Sequence, residues 1–380
     1  MKFNFDKKTN DFLKIITKNA QIQKIRVFFV GGIVRDKLLN LEENSNHDID
    51  LILDKSAISF CKKLPKEIKI KSIHEAFDTV KVEFEGKIFD IATTREEYYI
   101  SSGALPSVIK TGVPLEIDFK RRDFSINSMY LELKLKDDEI EYSFIDLANG
   151  KKDIEKKLLK VLHKNSYIDD PTRILRGLNF KFRFDFDFSK EDKTLIQDYI
   201  QNFSSYENEN FSKDRFLSVL EHILKSEKNK EIFKEIVEKN IYKIYFKNEI
   251  KVDFKKIDEA IRKFELNFEE KKDFYIDILK NGDVNFQEFS SESEIKKYFS
   301  KYSNSKLAYF FYKTKNKNIE KYLKIKDIKL FIDGNDLIKL GFKGKEIGAI
   351  LDKMFDEKSK DKEKFFSKEE ELNFVKKNFS

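Results

Sequence analysis

Cysteine is almost missing from this chain of 380 residues, and that excludes two classes of site. The one thiol, Cys61, cannot close an internal disulfide, and no cysteine-based zinc site can be assembled from it. Histidine is also scarce: His47, His74, His163 and His222 are scattered and show no metal-ligand spacing. No apolar run approaches the roughly 20 residues needed to span a membrane. No apolar signal segment opens the chain, so a reducing, cytoplasmic setting is expected. Charge of one sign is not in large excess either. Charged residues make up 38% and the net charge is +7, which admits a polyanionic partner without demanding one.

Proline is confined to one end. Pro65, Pro106, Pro114 and Pro171 are the only prolines, so the residues that follow are free to form long helices. Before Pro171 the pattern alternates. Val80, Val82 and Phe84 are separated by polar residues, Ile88 to Ile91 lead into Ala92-Thr93-Thr94, and Gly86 between them predicts a hairpin turn. Later, Phe216, Leu217, Leu220, Ile223 and Leu224 follow the spacing of one buried helical face. Amphipathic stretches continue through 230–245, 254–264 and 269–280. Asn281-Gly282-Asp283 reads as a turn, Lys313, Lys315 and Lys317 as a short basic loop, and a last compact unit begins near Phe331. The expected class is α+β: a mixed α/β head at 1–150, a helical neck at 151–240, and a helical body and tail at 241–380.

The segment 28–53 is the most informative part of the head. Phe28, Phe29 and Val30 read as a buried strand, and Gly31-Gly32 turn the chain into a helix beginning near Ile33. Asp48 and Asp50 precede the apolar run Leu51-Ile52-Leu53. Residues two apart on a strand share a face, so the two carboxylates stand side by side. Such a pair can bridge two divalent ions about 4 Å apart. Gly32 lets backbone approach a phosphate, the helix start offers free N–H groups, and Arg35, one turn on, can reach phosphate with Asp36 orienting it. This combination points to magnesium-assisted nucleotidyl transfer. Asp90 closes an alternating run and is either a third carboxylate on a neighbouring strand or a solvent-facing residue.

Two further constellations stand downstream. Arg121-Arg122-Asp123-Phe124-Ser125-Ile126-Asn127 sets two phosphate-binding guanidinia beside an asparagine able to meet a ribose hydroxyl. The same residues also suit a basic turn leading into a helix that packs Ile126 and Met129. Asp169-Asp170-Pro171-Thr172-Arg173-Ile174-Leu175-Arg176 opens a helix, since Pro171 suits its first turn and an aspartate its cap. Asp170, Arg173 and Arg176, spaced by three, project from one face. A carboxylate accepts from the amino group of cytosine or adenine and a guanidinium donates to the ring, whereas uracil and guanine present a carbonyl instead. If Asp169 caps the helix, Asp170 is free for that role; otherwise Asp170 serves the backbone.

Together these residues resemble the class II tRNA nucleotidyltransferases and bacterial poly(A) polymerases of the DNA polymerase beta superfamily. GGIVRD at 31–36 with DID at 48–50 looks like the family's metal and nucleotide motif. RRDFSIN at 121–127, which holds Arg122, Asp123 and Asn127, looks like its ribose and phosphate motif. Asp146 with GKKDI at 150–154 looks like a flexible link. DDPTRILR at 169–176 looks like the nucleotide-template helix, with Asp169 in place of the usual glutamate. SKDR at 212–215 resembles a neck motif normally written Ser-x-Glu-Arg. The resemblance implies a palm-like head followed by a helical neck, body and tail. Asp48 and Asp50 would bind Mg2+; Gly32, Arg35 and Arg122 would contact the incoming nucleotide; Asp170 and Arg173 would read its base, with Arg176 adding a contact. CTP and ATP would extend the 3′ end of tRNA to CCA, and a flexible loop near 98–116 would control the switch from C to A.

Some positions depart from the family pattern. Asn179 stands where a further arginine is common, Asp78 where the turn before the second hairpin usually has glycine, and no proline lies near Gly344. KSIHEAFDTVKVEF lacks the basic signature of the poly(A) polymerases, while Arg95, Glu97, Tyr99 and GALP at 103–106 look like the tRNA nucleotidyltransferases. Addition of only CC or only A, poly(A) synthesis, and a catalytically dead RNA-binding protein are the alternatives.

Overall fold

The computed structural model of the chain describes residues 3–41, 49–206, 210–361 and 364–379. Asp48 lies outside the described residues. The chain divides into two compact units, Met1–Ile223 with Lys230–Tyr245, and Leu224–Asn229 with Phe246–Ser380.

The first unit includes the strands β1 (Val27–Val30), β2 (Asp50–Leu53), β3 (Lys69–His74), β4 (Thr79–Phe84), β5 (Lys87–Thr93), β6 (Arg95–Tyr98), β7 (Ser107–Thr111), β8 (Met129–Lys136) and β9 (Glu139–Asp146). Seven of them form one mixed sheet in the order β3-β4-β5-β2-β1-β8-β9, while β6 and β7 pair apart as an antiparallel hairpin. β2 and β5 run parallel, and the other neighbours in the large sheet run antiparallel. Every residue of central β1 is buried, as expected of an apolar run covered on both faces, whereas edge strand β3 is largely exposed. The β4–β5 turn is Glu85-Gly86, with φ of 49° and 82°, the left-handed pair that a two-residue hairpin needs.

The helices that frame this sheet are α1 (Lys7–Ile22), α2 (Gly32–Leu38), α3 (Ala57–Cys61), α4 (Leu115–Asp118), α5 (Gly150–Glu155), α6 (Ser166–Asp169) and α7 (Thr172–Phe184). α1 buries Phe12, Leu13, Ile16 and Ala20, and Phe12 stacks on Phe89 of β5 with centroids 3.7 Å apart. Further helices follow at Lys190–Gln201, Phe203–Tyr206, Lys213–Leu224 and Asn229–Glu238. The face expected at 216–224 is buried at Phe216, Leu220, Ile223 and Leu224, with Leu217 half-buried.

The second unit is helical, but the absence of proline does not produce long helices: among the described residues none there exceeds 16 residues. Asp253, Asn267, Ser291, Ser303, Asn316 and Asp333 each accept from a backbone N–H and start a new helix, so capping side chains segment the chain. The basic loop expected at 313–317 is instead a tight turn between Asn304–Thr314 and Lys317–Ile325, with Lys315 at φ 51° and ion-paired to Glu259. Ile332, Leu337, Ile350, Met354, Phe365 and Val375 form a core of their own near the C-terminus. No helix among the described residues is long and apolar enough to cross a membrane. The architecture is α+β, a mixed-sheet head followed by a helical region, as the sequence pattern indicates.

Candidate active site

A cleft of about 410 Å3 opens in the first unit, and segments far apart in sequence supply its walls. Gly31, Gly32 and Arg35 come from the start of α2, and Asp50 from the first turn-proximal position of β2. Arg95, Glu97 and Tyr99 come from the β6 side of the hairpin; Arg121, Arg122, Asp123 and Asn127 from the segment before β8; Asp170, Arg173 and Arg176 from the entry of α7; and Arg215 from the helix Lys213–Leu224. Gly31 takes φ +77°, a left-handed turn that reverses β1 into α2. The structure thus brings together every described residue of the expected site.

Their partners sort these residues. Arg35 is buried and fully engaged. Nε reaches Asp36 Oδ1 at 2.8 Å, Nη1 reaches Asn127 Oδ1 at 2.7 Å, and the guanidinium stacks 4.7 Å from Phe184 and 5.1 Å from Phe180 of α7. Burial pulls its pKa below the ordinary arginine value against the opposing pull of Asp36. Asp36 does orient Arg35, as expected, but the guanidinium also ties α2 to α7. Asn127 is correspondingly occupied: its oxygen serves Arg35, and its amide donates to Asp123 Oδ1 at 3.0 Å. Asp123 accepts as well from Arg176 Nη2 at 2.6 Å. Burial would raise the Asp123 pKa, but Arg176, Asn127 and the Phe124 N–H outweigh it and hold it low. Ser125–Asn127 form a 3-10 turn and Met129 begins β8, so the helix envisaged beyond RRDFSIN is a strand.

At α7 the second of the two alternatives holds. Asp170 is the backbone acceptor: Oδ1 takes Thr172 N at 3.1 Å and Thr172 Oγ1 at 2.5 Å. Asp169 ends α6, and burial raises its pKa. Asp170 nevertheless faces the cleft, because its second oxygen, Oδ2, is held at 2.6 Å by Arg215 Nη2 and lies 4.0 Å from Arg173 Nε. Arg173 is 2% exposed, and Nη2 donates to the Arg121 carbonyl at 2.9 Å. Nη1 of Arg173 and Nη1 of Arg215 are buried without a hydrogen-bond partner among the described residues.

Asp90 is directly opposite Asp50 in the parallel β2–β5 register, but its carboxylate pairs with Lys81 at 2.7 Å and does not line the cleft. Among the described residues no three metal-ligating side chains gather in one place. Asp50, which lines the cleft together with Gly31 and Gly32, offers hard carboxylate oxygens suited to a divalent cation.

The surroundings explain the departures in the sequence. Asp78 occupies φ 46°, where glycine is easiest, and its carboxylate compensates by accepting from Ile58 N at 3.0 Å and Ser56 Oγ at 3.1 Å. The segment 98–116 is not one open loop, since it contains β7 and the start of α4. Asp146 pins the expected link at 150–154 by accepting from Gly150 N at 2.9 Å and Lys151 N at 3.0 Å. Arg215, Arg95, Glu97 and Tyr99 were visible in motifs but carried no expected site role, and Arg121, expected beside Arg122 as a phosphate-binding guanidinium, is held by Asp118 and Glu97. SKDR was the one signal for Arg215, and nothing local showed that it would reach Asp170.

Residues 27–160 match the family described as Poly A polymerase head domain. An A-adding tRNA nucleotidyltransferase of Geobacter sulfurreducens is 34% identical over 192 residues, 50% of this chain and 21% of the relative. One of Halalkalibacterium halodurans is 34% identical over 194 residues, 49% of this chain and 43% of the relative. The chain thus spans less than half the length of these curated relatives. A solved CCA-adding enzyme in its apo form II superposes with a TM-score of 0.77 at 23% identity, covering 98% of this chain and 96% of that one. Residues 27–160 are thus similar to the poly A polymerase head domain, and the chain has the fold of the CCA-adding enzymes.

Proposed function

We propose that this chain adds CCA to the 3′ end of tRNA, without a nucleic-acid template, by nucleotidyl transfer from CTP and ATP. The observation that carries the reading is the single cleft that gathers Gly32, Arg35, Asp50, Arg122, Asp170 and Arg173 from distant segments. The arginines that line it favour a ligand rich in acceptors. A nucleotide base and its triphosphate supply them.

Each residue then has a role. Asp170 keeps acceptor capacity on Oδ2 for the amino group of cytosine or adenine, and Arg173 donates to the ring, so uracil and guanine are refused. Arg176, held by Asp123, adds a contact beside the base. Gly32 allows the backbone near the phosphates, and Arg122 and Arg35 bring positive charge to them. Asn127 retains one amide hydrogen for the ribose. The terminal tRNA hydroxyl attacks the α-phosphorus; the new O–P bond forms as the bond to pyrophosphate breaks, and the hydroxyl proton is released. Asp48 and Asp50 would hold magnesium, which neutralises charge on the α-phosphate and the leaving pyrophosphate. In this reading 1–150 is catalytic, 151–240 carries the base-reading helix, and 241–380 supplies phosphate contacts to tRNA; the cytoplasm is the setting.

A second reading, addition of A alone, is favoured by the two relatives named A-adding. One experiment separates the two. Transcripts of tRNA ending before CCA or after CC, and an unrelated RNA, are incubated with CTP and ATP singly and together, and the 3′ ends are sequenced. Complete CCA followed by a halt supports the main reading. Growth only of the transcript ending in CC establishes the second, and long adenine tails on any RNA sink both.

A further inference from the structure

We propose that Asp118 is a positioning residue for nucleotide transfer: one buried carboxylate aims Arg122 and ties the β6–β7 hairpin to it. The proposal rests on the reading above, in which Arg122 meets the triphosphate.

Asp118 is the last residue of α4 and is fully buried. Burying a carboxylate is tolerable only when it is fully paired, and here the donors come from three places. Oδ2 accepts from Arg122 Nη2 at 2.9 Å, Arg122 Nε at 3.2 Å and the Tyr130 hydroxyl at 2.8 Å. Oδ1 accepts from Arg121 Nε at 2.9 Å and from the backbone N–H of Arg95, the first residue of β6, at 3.0 Å. Burial alone would raise the pKa of Asp118, but Arg122 and Arg121 overcome it and hold the group ionised.

The geometry divides the Arg122 fork. Its Nε–Nη2 edge is committed to Asp118, and the Tyr130 hydroxyl also meets Nε at 3.2 Å. The Tyr130 ring lies 5.3 Å from the guanidinium carbon. The other edge, Nη1, has no protein partner among the described residues, and Arg122 lines the cleft. Arg121 has a different task. It bridges Asp118 to Glu97 of β6, with Nη1 3.6 Å from Glu97 Oε1, and Glu97 also holds Arg95 at 2.6 Å. Asp118 therefore fixes in advance an arginine that would otherwise have to be ordered by each incoming nucleotide, and the same carboxylate anchors the hairpin strand.

The test uses the full chain with tRNA ending in CC and ATP as the varied substrate. Asp118→Asn preserves shape and removes the charge. It is expected to raise the KM for ATP roughly 10- to 100-fold, the penalty for misplacing a binding group by about 1 Å, with the KM for tRNA unchanged. In an Arg122→Ala background the same substitution should add no more than about a twofold change, because the two act through one contact. Tyr130→Phe, which removes one hydroxyl, should raise the ATP KM in the same direction by a smaller factor and serves if Asp118→Asn does not fold. An unchanged ATP KM in a folded Asp118→Asn variant, full additivity with Arg122→Ala, or an equal loss for tRNA and ATP overturns the positioning role. Wild-type protein that binds neither ATP nor CTP in calorimetry overturns the functional reading itself, and the proposal with it.

Discussion

Replacing Arg215 with alanine tests how Asp170, the carboxylate proposed to read the base, is held. Arg215 Nη2 lies 2.6 Å from Asp170 Oδ2; the side chain of Asp170 is 6% exposed and that of Arg215 30%. Removing one partner of a fully buried ion pair costs about 3–5 kcal/mol. That is an upper bound here, because Arg215 is partly in water and Arg173 Nε remains 4.0 Å from the same oxygen. A charged hydrogen bond of this kind contributes about 1.5–3 kcal/mol. A loss of about 2 kcal/mol corresponds to about 30-fold. If Arg215 aims Asp170 at the amino group of the base, that loss falls on CTP and ATP and spares UTP and GTP, which never gain the contact. Single-nucleotide incorporation into tRNA, measured with each of the four triphosphates, gives the four values of kcat/KM, and circular dichroism checks the fold. Arg215→Ala should lower the values for CTP and ATP about 30-fold and narrow the preference over UTP and GTP by a similar factor. Arg215→Lys, which keeps the charge but not the planar fork, should fall between. A folded Arg215→Ala variant that loses all four substrates equally, or keeps the preference for C over U, refutes the reasoning.

Other outcomes follow from single sites. Asp50→Ala should abolish incorporation while tRNA binding, measured by filter retention, stays within a few-fold; comparable loss of binding contradicts a metal role. A methyl group added at Gly177 in α7 would sit 2.4 Å from the Phe188 ring and 3.0 Å from that of Phe124, and both rings are buried. Gly177→Ala should therefore cost about 1–3 kcal/mol by overpacking, seen as a lower urea midpoint; an unchanged midpoint means the rings can yield. Burial, and then Asp78, push the Cys61 thiol up to about 12. The fold thus prefers the protonated thiol, and its contribution is intact below the ordinary thiol range and lost as pH climbs towards 12. Iodoacetamide at pH 8 should label Cys61 only after unfolding in urea, and labelling of the native protein at the rate of a free thiol contradicts this.

The signals that were readable in the sequence are the local ones. Glu85-Gly86 turns where Gly86 announced a hairpin, and the buried residues of 216–224 follow the helical period. Gly31-Gly32 open α2, Leu51-Ile52-Leu53 lie on a strand, and Pro171 leads into α7. The expectations that changed were those needing a partner. Long helices were expected where proline is absent, but six capping residues cut them. Asp90 stands in register with Asp50, yet Lys81 on the neighbouring strand claims its carboxylate.

What the sequence alone determined was the local make-up of each motif and the order of the parts. Gly31-Gly32 with Asp50 on a strand, arginines before β8, and an aspartate–arginine face at α7 are patterns of turn and periodicity, governed by neighbours a few positions apart. Only the tertiary structure decided which group each charge serves. Asp170 accepts from the backbone of Thr172 at the entry of α7 and is held by Arg215, 45 positions away. Arg35 meets Asn127 across 92 positions, and Arg176 meets Asp123 across 53. An ion pair acts over a few ångströms regardless of sequence distance, so no local pattern reveals it. Folding distant segments onto one cleft is what turned a set of separate motifs into a site with some guanidinia committed and others left open.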